Sequence, residues 1–146
     1  MAVHGRPAPA CEPLPGAAAL FSPWTDLAGT GESLRLNERA DALLPAHLCG
    51  QAARLYAGAA QLEHPYVSPF YGEFRGLPSL LVHVSDSEIL LDDTLRMVEK
   101  ARAAGVAVEC EVWRDLVHAW PIAVPWVREA REVVSGAASY FARRIG

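Results

Sequence analysis

The segment Ser79–Val84 reads S-L-L-V-H-V and leaves almost no polar face on either side of an extended chain. A strand that must bury both faces belongs inside a parallel sheet with a layer above and below it. The following residues fit such a layered unit. Asp92 and Asp93 put negative charge where a helix begins, Leu91, Leu95 and Val98 recur on one helical face, and Gly105 ends the pattern. Val106–Trp113 then alternates: Val106, Val108, Cys110 and Val112 point one way, and Ala107, Glu109, Glu111 and Trp113 the other. The glutamates place that strand near a water-exposed margin of the sheet. A stripe of Val127, Ala130, Val134, Ala137 and Phe141 predicts a long amphipathic helix at the end.

Upstream, Ala17–Phe21 is a short apolar run closed by Ser22-Pro23; it suits a buried strand, although five such residues could equally be helical. Residues 34–62 read as a helical insert in two pieces, divided at Pro45 and closed at Gly58. Residues 64–76 are loop, and residues 1–16, rich in proline and glycine, are irregular. The order strand, helical insert, strand, helix, strand, helix predicts one α/β domain over residues 1–146 with a parallel sheet. Only three strands are visible, which is few for a parallel sheet covered on both sides.

The chain has 146 residues and is 51% hydrophobic, which excludes a disordered tail. Its net charge of -4 offers nothing to neutralise a phosphate backbone, so nucleic acid is not an expected partner. Three cysteines, Cys11, Cys49 and Cys110, give an odd number with no C-x-x-C. This points to reduced thiols and a cytoplasmic location rather than a disulfide framework or a zinc site. His4, His47 and His64 have no metal-ligand spacing. No apolar run approaches the ~18 residues of a membrane span.

Open α/β sheets place their sites in the loops at the carboxyl ends of parallel strands. Two such loops carry ionisable groups: Ser85–Asp93, and Arg114–Trp120 with His118. A carboxylate on one loop and a histidine on the next is the acid-then-His half of a hydrolase triad. The acid would fix the imidazole tautomer and leave the other nitrogen as general base. Asp92 and Asp93 are better explained as helix-opening residues than as catalysts. His83 lies inside a strand and reads as a hydrogen-bonded core histidine; Cys110 reads as a core thiol, and Trp24, Trp113 and Trp120 as packing residues.

The wording of five segments adds a resemblance. S-P-W-T-D-L at 22–27 with G-x-G-E-S at 29–33, H-P-Y-V-S-P at 64–69, G-L-P-S-L-L-V-H-V at 76–84, E-I-L-L-D-D at 88–93 and W-x-x-x-x-H-x-W at 113–120 resemble the hormone-sensitive-lipase-like α/β-hydrolases, the α/β-hydrolase fold-3 family. The resemblance runs over residues 15–146. It implies a carboxylic ester hydrolase, esterase or lipase, with a Ser-Asp/Glu-His triad, no metal and no cofactor. It implies Glu88 as the acid, with Asp86 the alternative, and His118 as the base. It also implies a partial fold: the three strands as the last three of eight, and residues 34–62 as part of a lid over the acyl pocket.

The same family pattern requires a nucleophile elbow, G-x-S-x-G, and an H-G-G-G-type oxyanion loop. Neither occurs in this sequence. The nucleophile is absent, and the chain reads as the carboxyl-terminal half of an esterase, expected to be inactive alone. A small ester would be its substrate once the missing half completes the site. A different reading is a non-catalytic remnant or interaction module that pairs with another polypeptide. A third is a small hydrolase using Ser85 or Ser87. With its neighbouring strand missing, Ala17–Phe21 would present an apolar, uncharged edge and invite self-association.

Overall fold

The computed structural model describes residues 14–145. The expected irregular stretch 1–16 lies outside them except for residues 14–16. Strands β1 (Ala17–Phe21), β2 (Ser79–Ser85) and β3 (Val108–Trp113) form one parallel sheet in the order β1-β2-β3. The register aligns Phe21 with His83 and Ser85 with Trp113, so the three carboxyl ends finish at one margin. Helix α1 (Ser33–Leu36) and helix α2 (Ala46–Ala57) lie between β1 and β2. Helix α3 (Leu91–Ala103) joins β2 to β3, and α4 (Arg128–Ile145) follows β3.

The central strand explains the layers. On one face Leu80 and Val82 pack with Met97, Val98 and Ala101 of α3. On the other Leu81 packs with Ala17 and with Ala137 and Tyr140 of α4. A strand buried on both faces is thus satisfied by one helix per side, as its apolar sequence demands.

Several local details differ from the sequence pattern. The first helical piece of the insert shrinks to the single turn of α1, followed by turns up to Pro45, which caps α2 rather than entering it. The buried side of α3 is Asp93, Thr94, Met97, Val98 and Ala101; Leu91 and Leu95 are only half-buried. On α4 the buried stripe is Ala130, Val133, Ala137 and Tyr140, leaving Val134 exposed. Both shifts show tertiary contact selecting among neighbouring faces that a helical period alone leaves nearly equivalent. Val106 is not part of β3: its N–H bonds Ala101 O and completes the turn after Gly105, whose φ of +84° suits a helix stop. Cys110 is half-buried and packs against the α3-side core, and burial pushes its thiol pKa up.

His83 is 3% exposed and stacks on Phe21 with ring centroids 5.6 Å apart. The Trp113 indole N–H donates to His83 Nδ1 at 3.1 Å. An indole nitrogen can only donate, so the imidazole proton resides on Nε2, and burial holds its pKa below the ordinary value. Trp113 is therefore a hydrogen-bonding partner as well as a packing residue.

A buried polar clamp joins the loop after β1 to α3. Asp93 Oδ2 accepts the N–H groups of Thr25 at 2.9 Å and Asp26 at 2.8 Å. Asp26 is fully buried; burial alone would raise its pKa, but hydrogen bonds from Thr30, Tyr71 and Arg96 hold it below the usual carboxylate range. At Asp93 burial outweighs the two backbone donors and the charge of Arg96, and raises the pKa to about 6.

That asymmetry sets a pH dependence. Asp93 holds its proton more tightly folded than unfolded, so its contribution to stability is full below about pH 4 and is lost as pH rises to about 6. Two units correspond to on the order of 3 kcal/mol. Urea unfolding at pH 4.5 and pH 7 should show that Asp93→Asn loses this part of the pH dependence. An unchanged difference between the two pH values in the variant would show that Asp93 titrates normally.

Candidate active site

Each strand end contributes to one cluster. Glu88 follows β2 in a tight turn whose next residues, Ile89 and Leu90, are almost fully buried and pin the turn inward. Glu88 itself is 0% exposed. Its Oε1 accepts the Ser85 N–H at 2.7 Å and the Ser22 hydroxyl at 2.8 Å. Its Oε2 lies 2.7 Å from His118 Nδ1. A carboxylate only accepts, so the imidazole donates through Nδ1 and keeps the Nε2 lone pair free. The His118 side chain is 19% exposed, and its Nε2 has no hydrogen-bond partner among the described residues.

Asp86, two residues earlier, is elsewhere. It is exposed, and its Oδ1 accepts the Asp115 N–H at 2.9 Å. Ser85 Oγ accepts the Leu116 N–H at 2.9 Å, and Ser87 Oγ donates to Leu116 O at 2.8 Å. These three side chains fasten the 114–118 loop to the end of β2, and neither serine hydroxyl bonds His118. Asp115 and Ala119, on either side of the histidine, have φ of 52° and 53°.

The insert braces the acid turn from outside. Asn37 Nδ2 donates to Asp86 O and to Glu88 O, both at 2.8 Å, and Asp41 Oδ2 accepts the Ile89 N–H at 3.0 Å. Ser33 N–H donates to Asp92 Oδ2 at 2.8 Å while Asp92 N–H donates to Ser33 Oγ at 2.9 Å. The acidic pair of α3 thus opens the helix and also anchors both ends of the connection from β1 to α1. Among the described residues no group of three or more His, Cys, Asp or Glu side chains gathers as for a metal ion. No described helix is long and apolar enough to cross a membrane.

Comparison with known proteins shows the family. The family model described as alpha/beta hydrolase fold matches residues 2–122. An acetyl-hydrolase of Streptomyces hygroscopicus is 34% identical over 134 residues, covering 92% of this chain and 45% of that protein. An esterase of Acinetobacter venetianus is 35% identical, with 88% and 43% covered. A solved esterase of the bacterial hormone-sensitive lipase family superposes with a TM-score of 0.90 at 37% identity, covering 92% of this chain and 46% of that one. A hormone-sensitive lipase from a metagenome library gives 0.87 at 31%, covering 90% and 45%. The chain belongs to the α/β-hydrolase fold family, in its hormone-sensitive-lipase-like group. It spans less than half the length of these relatives.

Within this α/β-hydrolase chain, the family resemblance implied Glu88 as the acid, with Asp86 the alternative, and His118 as the base; the structure brings Glu88 and His118 together and sends Asp86 to the loop backbone. The sequence pattern did not single out Ser22, Asn37 or Asp41. Ser22 had a signal, since it opens the S-P-W segment, but its reach to Glu88 spans 66 residues and needs the strand pairing. Trp120 is 2% exposed and packs with Ala130 and Val133.

The two carboxylates should differ sharply in stability terms. Glu88→Leu leaves the buried Ser85 N–H without an acceptor and should cost about 1–3 kcal/mol. Asp86→Ala loses one exposed contact and should cost under about 1 kcal/mol. Chemical denaturation of both variants decides this; equal effects would mean that the Glu88 cluster does not organise the strand ends.

Proposed function

We propose that this chain supplies the acid and the base of a Ser-Glu-His triad for hydrolysis of a small carboxylic ester, with the attacking serine and oxyanion donors coming from a polypeptide segment outside it. The observation that carries this reading is the 2.7 Å contact between buried Glu88 Oε2 and His118 Nδ1, which frees Nε2 at the carboxyl ends of parallel strands. In the complete reaction, Nε2 takes the proton of the attacking serine as its oxygen bonds the ester carbonyl carbon. Glu88 holds the imidazolium in place, and that proton passes to the leaving alcohol. Water, deprotonated by the same nitrogen, then releases the acid from the acyl-enzyme. One relative is named an acetyl-hydrolase, which is in keeping with a small ester. The insert around α2 carries exposed Leu48, Leu55 and Tyr56, consistent with a lid bordering an acyl pocket.

The chain alone should hydrolyse p-nitrophenyl acetate no faster than a control protein containing histidine. Mixed with the amino-terminal segment of a relative that carries G-x-S-x-G, it should show saturable turnover. His118→Ala should abolish that turnover. Glu88→Gln should reduce it by orders of magnitude, because an amide facing Nδ1 moves the proton to Nε2. Turnover by the chain alone that His118→Ala abolishes would favour a nucleophile within this sequence; turnover of the mixture indifferent to His118 would defeat the proposal.

A second reading, an interaction module, is favoured by β1. Its outer edge has no partner among the described residues, and its sequence A-A-A-L-F has neither charge nor proline to block pairing. Either reading expects association through that edge. Light scattering at tens of micromolar should show dimers or larger species, reduced by Ala19→Lys. A stable monomer that binds no hydrophobic dye would exclude an open edge.

A further inference from the structure

The Ser22 hydroxyl sits where nothing in the triad requires a group. Ser22 is 4% exposed, and its Oγ donates to Glu88 Oε1 at 2.8 Å. The same oxygen accepts the Ala119 N–H at 3.3 Å, one residue beyond His118. Its own N–H bonds His83 O at 2.8 Å, continuing the β1–β2 ladder by one step. One side chain thereby touches both the carboxylate and the loop that carries the base, and its backbone is tied to the central strand.

Its conformation sharpens the case. Ser22 has φ of +49°, although the residue before a proline is ordinarily extended. Positive φ in a non-glycine residue is uncommon and is retained where surroundings over-determine it. Among the described residues only Ser22, Asp115 and Ala119 have it apart from glycines, and all three lie at strand ends around Glu88 and His118. Glycine would relieve the strain at position 22 but would carry no hydroxyl.

We infer that Ser22 is a positioning residue, whose hydroxyl locks the Glu88 carboxylate so that Oε2 faces His118 and couples that carboxylate to the histidine loop through Ala119. This rests on the acid–base reading of Glu88 and His118 given above. Glu88 Oε1 has two donors, the Ser85 amide and the Ser22 hydroxyl. The amide alone fixes one point and leaves the carboxylate free to swing about it; the second donor fixes its plane. With that plane fixed, the hydrogen bond to Nδ1 is held at one geometry before any substrate arrives.

The readout is the low-field proton resonance of His118 Nδ1–H in the full chain labelled with 15N-histidine, assigned by its loss in His118→Ala. In the parent chain it should be sharp and should disappear in Glu88→Gln. Ser22→Ala should broaden it beyond detection while near-ultraviolet circular dichroism and a cooperative thermal transition persist. Ser22→Gly, which removes the hydroxyl and also relieves the backbone, should lose the resonance equally and serves where the alanine variant does not fold. Ser139→Ala, an exposed hydroxyl on α4, should leave it untouched. A resonance retained in both Ser22 variants overturns the inference, as does loss in Ser22→Ala with recovery in Ser22→Gly, which would assign the effect to backbone strain. A parent resonance unaffected by Glu88→Gln would instead overturn the acid–base pairing itself, and this inference with it.

Discussion

A carboxylate removed entirely from water constrains everything near it. Glu88 has no exposed surface, so each of its oxygens must meet donors supplied by the protein. Those donors come from three places that are distant in sequence: Ser22 after β1, the Ser85 amide at the end of β2, and His118 after β3. Only a parallel sheet in this register brings the three together, because parallel strands deliver their carboxyl ends to the same margin. The apolar strand β2 and the acid–base pair are therefore two consequences of one topology. A one-residue slip of β1 would carry Ser22 away from Glu88 and turn Ala17 and Ala19 together from the α4 side of the sheet to the α3 side.

Another buried acid, Asp93, illustrates what a carboxylate does when its role is only to tie loops. It accepts two backbone N–H groups of the segment after β1, and burial raises its pKa to about 6. Asp26 close by is held low by Thr30, Tyr71 and Arg96. Together with Asp92, Ser33, Asn37 and Asp41 they form a polar brace that fixes the insert against the acid turn. The polar density of residues 22–41, which in sequence reads as an ordinary loop, belongs to this brace.

Legibility followed the range of the interactions. The buried character of β2, the alternation in β3 and the stop at Gly105 are local, and the sequence pattern located them to within two residues. The spacing of an acidic loop and a histidine loop at consecutive strand ends was legible because it follows from topology. Spacing alone left Asp86 and Glu88 open, since a turn begins between them and the period of two no longer applies. What separates them is packing: Ile89 and Leu90 pull the turn inward at Glu88. The core faces of α3 and α4 were read correctly at Val98, Ala130 and Ala137 and one position off elsewhere, for a related reason. Thr94 and Tyr140 are polar by type yet buried, while Leu95 is only half-buried and Val134 is exposed. The long-range hydrogen bonds of Asn37 and Asp41 had no local signature at all, and the S-P-W segment marked Ser22 without marking its partner.

The Glu88–His118 pair is complete in its own support. Among the described residues, every hydrogen bond that orients the two comes from residues 22–119, although the chain spans less than half the length of its relatives. A triad is usually pictured as three residues of equal standing, but in the proposed one two of them share a scaffold that asks nothing of the third. The buried carboxylate must be satisfied whether or not a serine is nearby, because leaving it unpaired costs several kcal/mol in folding. Folding of these strand ends and orientation of His118 are thus the same event. A nucleophile arriving from another segment would find the base already held, with its free nitrogen at the sheet margin. In the proposed triad, catalysis would then depend on how well that segment docks.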